Sequence, residues 1–176
     1  MEIKFFYIHG LNGSNQSKKF LELKEYYPNI VCLSWSKDDD INLKLEEWKQ
    51  IIRENDAFYM CVIASSMGGN FAYQLRKKCV LSYFTLVLIN PLFDVKDVQV
   101  EVPSQLNQFL APIIDHRDSL ILLGKKDTVI ENQKYLSEDS YIKRNNQIVV
   151  DDESTHRFEN LKDYFKLIDR SVDSIC

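Results

Sequence analysis

The sequence predicts an α/β protein of three layers: a mostly parallel sheet of about six strands, covered by helices on both faces, with residues 1–176 forming a single domain. Three observations carry this expectation. Apolar runs of strand length recur six times, and most are nearly continuous rather than alternating, as in strands buried on both faces. Segments with helical apolar spacing separate them. Small and polar residues of chemical interest fall just after the runs, where parallel sheets keep their functional loops.

Taken in order, residues 3–8 read as the first strand and residues 17–25 as a short helix. Residues 30–35 form the second run. Asp38-Asp39-Asp40 then gives a helix start signal, and Ile41, Leu45, Trp48 and Ile52 share one face of the helix that follows. Residues 58–64 are a strand and 70–79 a helix; residues 84–89, 120–123 and 147–150 are further strands. Phe158, Leu161, Phe165 and Ile168 mark one face of a C-terminal helix. Residues 90–118 depart from this compact alternation. They hold one predicted helix, 104–114, introduced by Pro103, and read either as a lid over a site or as a long crossover.

Composition narrows the function. The chain is long enough to bury a core without staples. Its net charge of −4 argues against a nucleic-acid partner, and Arg76-Lys77-Lys78 and Lys125-Lys126 read as solvated surface. Cys32, Cys61, Cys79 and Cys176 form no Cys-x-x-Cys pair, and Cys32 and Cys61 lie inside apolar runs. A reduced, cytoplasmic protein is expected. The N-terminal residues enter a strand pattern directly, without signal-peptide features, and no apolar run nears the roughly 20 residues of a membrane helix. The histidines, His9, His116 and His156, lack metal-ligand spacing, and Gly10-Leu11-Asn12-Gly13 lacks the Lys-Ser/Thr of a phosphate loop. No metal or cofactor is expected.

Four strand-end signals carry chemistry. Ala64-Ser65-Ser66-Met67-Gly68-Gly69 follows a buried strand and opens a helix, a variant of the Gly-x-Ser-x-Gly nucleophile elbow with Ala64 in the first small position. A sharp strand-to-helix turn thrusts the serine hydroxyl out of the sheet, and small neighbours such as Gly68 let helix and strand approach. His9-Gly10-Leu11 ends the first strand. There Gly10 is expected to bend the backbone and turn the Leu11 amide toward a reacting carbonyl, while His9 orders the loop. The Leu11 and Met67 amides are the candidate oxyanion donors, each worth about 3 kcal/mol of transition-state stabilisation. Asp127 follows the strand at 120–123, with Glu131 as the alternative acid in the same loop. His156 follows the last strand. Ser66, Asp127 and His156 keep the Ser, acid, His chain order of α/β-hydrolases; His116 precedes the acid and breaks it.

With these residues in place, the sequence resembles the YqiA-like family of small bacterial esterases, compact α/β-hydrolases. The resemblance rests on residues 7–14, Ser65-Ser66-Met67-Gly68-Gly69, Asn90-Pro91, Asp127-Thr128-Val129-Ile130 with Glu131, and Thr155-His156-Arg157-Phe158 leading into Asp163-Tyr164-Phe165. It departs at Ala64, where the family has glycine, and at Ser154-Thr155, where the family often has glycines. The resemblance implies an esterase acting on a small acyl ester or thioester, with Ser66 as nucleophile, His156 as base and an acid from the Asp127–Glu131 loop. The alternative is a non-catalytic module on the same fold that binds a protein or small ligand. Transfer of the acyl group to an acceptor other than water would use the same serine. Natural substrate, acyl length and oligomeric state stay open at this stage.

Overall fold

The structure is a computed structural model that describes residues 2–55, 58–79, 83–113, 119–137 and 140–173. His116, Cys176 and the end of the predicted 104–114 helix lie outside these residues. Six strands form one sheet: β1 (Ile3–Ile8), β2 (Val31–Cys32), β3 (Tyr59–Ser65), β4 (Tyr83–Ile89), β5 (Ser119–Gly124) and β6 (Gln147–Asp151). Their order is β2-β1-β3-β4-β5-β6, and every pairing is parallel. The helices are α1 (Lys18–Tyr26), α2 (Ile41–Glu54), α3 (Met67–Lys78), α4 (Ser104–Asn107), α5 (Tyr141–Asn145) and α6 (Phe165–Asp173).

The near-continuous apolar runs divide by parity. Phe6, Ile8, Met60, Val62, Ala64, Leu86, Leu88, Ile121 and Leu123 face α2 and α3. Tyr7, Cys61, Ile63, Val87, Ile89, Leu120 and Leu122 face α1 and α6. Ile41, Leu45, Trp48 and Ile52 are all buried, as the helical spacing predicts. Each such side chain contributes about 1.5–3 kcal/mol, and Trp48→Ala costs about 3–5 kcal/mol. Asp40 starts α2 by accepting from the Asn42 and Leu43 amides.

Four elements differ from the sequence expectation. The second strand pairs over Val31–Cys32 alone. After Leu33, whose N–H reaches the Tyr7 carbonyl at 2.8 Å, the chain turns so that Trp35 bonds to His9 instead of extending the ladder. The helix after β3 begins at Met67, because two helix-weakening glycines hide its first turn from propensity. The helix predicted at 104–114 stops at Asn107. Gln74 and Asn70 of α3 take the Phe109 and Ala111 carbonyls, each at 2.8 Å, in place of further helical bonds. The C-terminal helix begins only at Phe165, after a 3-10 turn at Leu161–Tyr164, while Phe158 sits in a left-handed turn at φ 50°. Phe158 and Leu161 nonetheless bury in the same core as Phe165 and Ile168.

The register places the site. Ile8 pairs with Ala64, Ser65 with Ile89, and Gly124 with Asp151, so the carboxyl ends of five strands lie along one sheet edge. The strand order reverses between β1 and β3, and such a switch point opens a crevice at the carboxyl ends. The loops holding Leu11 and Ser66 leave the sheet on either side of it.

Candidate active site

Ser66 occupies the turn from β3 into α3 at φ 55°, ψ −126°, a conformation that is strained for any residue with a side chain. The turn is held from both sides. Ser66 N–H donates to the Ile89 carbonyl at 2.9 Å, and the Ser66 carbonyl accepts from Gly69 and Leu92. A Cβ at Gly68 would stand 2.3 Å from the His9 carbonyl oxygen, so only glycine lets α3 seat against the end of β1. At the departure Ala64, the methyl group faces the core filled by α2 and α3 and fits there as part of β3.

His156 meets this serine. Its Nε2 lies 3.1 Å from Ser66 Oγ and its Nδ1 lies 2.8 Å from Asp127 Oδ2. A carboxylate only accepts, so Nδ1 carries the proton and Nε2 is left to accept from the serine hydroxyl. Asp127 is almost fully buried, its other oxygen accepting from Val129 N–H at 2.8 Å and Ile130 N–H at 3.1 Å. Glu131 is exposed, and its main-chain N–H donates to the Asp97 carbonyl. Of the two candidate acids, Asp127 is the one that reaches His156.

The β1 loop supplies the opposite wall. His9 Nδ1 donates to the Gly10 carbonyl at 2.8 Å, and Gly13 N–H reaches the same oxygen at 3.0 Å. Across a trans peptide the N–H opposes the C=O, so fixing this carbonyl aims the Leu11 N–H the other way. That N–H has no acceptor among the described residues. Met67 N–H, in the first turn of α3, likewise has no intrahelical acceptor. His9 is buried against Trp35, which donates its N–H to Nε2 at 3.3 Å. Burial pushes the His9 pKa down, opposed by its bond to Gly10. The left-handed bend falls at Asn12 (φ 59°) and no glycine has positive φ, so Gly10 serves by close approach: a Cβ there would stand 3.0 Å from that of Ser66.

The profile of a protein family described as an uncharacterised protein family, UPF0227, matches residues 4–111, from β1 past the Ser66 turn into the β4–β5 connection. The chain belongs to UPF0227. Two UPF0227 proteins named YcfP, from Escherichia coli strain K12 / DH10B and from Shigella boydii serotype 18, are each 23% identical to this chain over 176 residues, covering 92% of it and 94% of the relative. The resemblance to the YqiA-like proteins holds with this membership. Among solved structures, Est1E from Butyrivibrio proteoclasticus matches with a TM-score of 0.66 at 13% identity, covering 98% of this chain and 85% of that one. Mouse alpha/beta hydrolase domain-containing protein 10 gives 0.68 at 14% identity, covering 98% and 90%. XC6422 from Xanthomonas campestris, described as an α/β serine hydrolase without a lid, gives 0.67 at 13% identity, covering 98% and 81%. This UPF0227 chain therefore has the α/β-hydrolase fold.

Several residues to which the sequence reading assigned no role hold the site of this UPF0227 chain together. Asn90 is fully buried at φ 42°. Its Oδ1 accepts from Gly124 N–H at 2.7 Å, and its Nδ2 donates to the Thr155 and His156 carbonyls. Asp151 accepts from Glu153 and Ser154 N–H, each at 2.8 Å, and from Tyr164 Oη at 2.8 Å. Burial pushes its carboxyl up, but these bonds outweigh burial and hold it below the usual range. A Cβ at Gly124 would stand 2.5 Å from the Thr155 carbonyl oxygen, so glycine lets the histidine loop cross over β5. Residues 90–113 connect β4 toward β5 and also wall the site: Val98 bridges to Ile130, and buried Asp97 takes the Lys134 ammonium and the Tyr135 hydroxyl.

Proposed function

We propose that this protein is a serine hydrolase that cleaves carboxylic esters, thioesters included, through Ser66, His156 and Asp127. The observation that carries the reading is a strained serine hydroxyl 3.1 Å from an imidazole whose other nitrogen is bonded to a buried carboxylate. Strain of this kind persists where surrounding structure enforces it. Three separate loops converge on it.

The mechanism follows from the groups present. His156 Nε2 takes the proton of Ser66 as Oγ attacks the acyl carbon. The Leu11 and Met67 amides hold the developing oxyanion. As the intermediate collapses, the bond from the acyl carbon to the leaving group breaks, and His156 returns the proton to the leaving oxygen or sulfur. Water then attacks the acyl-enzyme by the same route, releasing the acid. Asp127 holds the imidazole in the required tautomer and stabilises the imidazolium. Nucleophile, base and oxyanion donors all come from the chain itself. Among the described residues no group of His, Cys, Asp and Glu is placed to hold a metal, and no helix is long and apolar enough to cross a membrane. The free thiols of Cys32, Cys61 and Cys79 support a cytoplasmic placement.

A fluorophosphonate probe read by intact mass tests the reading without a guess at substrate. One adduct on the wild type, lost in Ser66→Ala, is expected. A folded wild type that takes no adduct would overturn the hydrolase reading in favour of a binding module.

A further inference from the structure

Two recesses meet at Ser66 and His156. The smaller, about 170 Å³, is lined mostly by apolar side chains, among them Met67, Leu92, Val102 and Ile130, with Asn12 and Glu101 also on its wall. The wider, about 620 Å³, runs between the β1 loop, the start of α1 and the residues after His156. An acyl group that stays bound while water attacks suits the small apolar recess. A leaving group that departs and admits water suits the wide one.

Five charged side chains line the wider recess: Lys18, Lys19, Glu22, Arg157 and Glu159. Both carboxylates are engaged. Glu159 accepts from the Thr155 N–H at 3.1 Å and from its hydroxyl at 2.6 Å, and Glu22 lies 3.7 Å from the Lys18 ammonium. Lys19 and Arg157 have no ion pair or side-chain hydrogen bond among the described residues. Arg157 is exposed. Lys19 is half-buried, and burial lowers its pKa to about 8, against the pull of Glu159. Arg157 lowers it as well, while Glu22 and Asp127 raise it. Glu159, Glu22 and Asp127 act on this partly buried ammonium only at a distance; among the described residues it has no direct ion pair, and a bound anion supplies one. The placement stands out in a chain of net charge −4.

We propose that the wider recess binds an anionic leaving group, bearing a carboxylate or a phosphate, through Lys19 and Arg157. The preferred substrate then joins a short acyl chain to an anionic alcohol or thiol. This inference rests on the hydrolase reading of Ser66. In the first step the bond from Ser66 Oγ to the acyl carbon forms and the bond to the leaving oxygen or sulfur breaks. That atom takes the proton from His156, and its distal anion stays against Lys19.

The test compares kcat/KM for the butanoate ester of meta-hydroxybenzoate with that of meta-hydroxybenzamide, a pair of similar shape that differs in charge. The wild type is expected to favour the carboxylate about five- to tenfold at neutral pH. The ratio falls in Lys19→Gln, approaches one when Arg157→Gln is added, and is kept in Lys19→Arg. In the wild type it fades as pH rises through about 8, the free-enzyme Lys19 titration, and in Lys19→Arg it persists. Lys24→Gln, on the exposed side of α1, keeps the wild-type ratio. Phosphate-bearing esters run in parallel show which anion is preferred, and preference for either supports the proposal. Turnover of both butanoate esters with no preference for any anion, or a preference unchanged in Lys19→Gln, overturns this inference alone. So does a protein whose Ser66 is labelled but which turns over none of these esters. Absent labelling and absent turnover overturn the hydrolase reading, and this inference with it.

Discussion

The side-chain amide of Asn90 donates to the main-chain carbonyl of His156 itself, at 3.2 Å, while its oxygen holds Gly124 N–H at 2.7 Å. One carboxamide thus fixes the end of β5, which leads to Asp127, against the loop that carries His156. Asn90→Ala leaves a buried N–H and two carbonyls short of partners, at about 1–3 kcal/mol for each group left unsatisfied. It also places alanine at φ 42°. On the proposed mechanism, the expected result is a lower melting temperature and a kcat reduced about 100-fold, with KM little changed, because His156 drifts from Ser66. Asn90→Asp keeps the acceptor for Gly124 but sets a buried carboxylate oxygen against the Thr155 and His156 carbonyls, so it is expected to be no milder than alanine. Thermal unfolding and steady-state kinetics on both variants check this; a destabilised Asn90→Ala with wild-type kcat removes the positioning role.

Asp127 and Glu131 are separated by kinetics. In Asp127→Asn the amide oxygen can still accept from Val129 and Ile130, which turns the NH₂ toward His156 Nδ1. The ring proton is then driven to Nε2, where it faces Ser66 and blocks proton acceptance. A kcat loss of about 10⁴ is expected, with near-normal stability. Glu131→Gln, at an exposed position, is expected to stay within about twofold. The reverse ranking would transfer the role to Glu131.

His9 makes stability depend on pH. Its native pKa lies below the unfolded value of 6.5, because burial disfavours the charge. The unfolded chain therefore binds more protons as pH falls below 6.5, and stability drops there; above 6.5 both states are neutral at this site and nothing is lost. Protonation would also set an Nε2–H against the Trp35 N–H. Urea unfolding of the wild type and His9→Asn between about pH 5 and 7 isolates the contribution. The variant is expected to show the shallower slope, and parallel slopes would refute the assignment.

Sequence reasoning reached the sheet and the Ser66 turn because both are local signals. Continuous apolar runs announce strands covered on both faces, and a small-Ser-x-Gly turn between strand and helix reads within a few residues. Asp127 was narrowed to one loop, yet choosing it over Glu131 needed the turn that buries one carboxyl and exposes the other. The roles of Asn90, which enters the sequence reading only through the family resemblance, and of Lys19 are not legible in the sequence, for a different reason. Their partners, the Gly124 amide, the His156 carbonyl and the open wall of a recess, are joined to them only by the folded sheet. Strand β2 ended early on the same account, since Trp35 bonds to His9 across 26 residues of sequence.

If the acyl group occupies the small recess, as proposed, the recess sets a preferred acyl length. At about 170 Å³ it is close to a cavity that holds benzene, which points to chains of about six carbons or fewer. Its walls resist widening, because Val98 is pinned to Ile130 and Asp97, one residue back, is buried under Lys134 and Tyr135. Across a series of 4-nitrophenyl esters, kcat/KM is expected to peak at butanoate or hexanoate and to fall at least tenfold by dodecanoate. Val102→Ala, which enlarges the recess without touching the Asp97 cluster, is expected to move the optimum to longer chains. Undiminished dodecanoate turnover would mean that the acyl chain lies elsewhere, as in the wide recess.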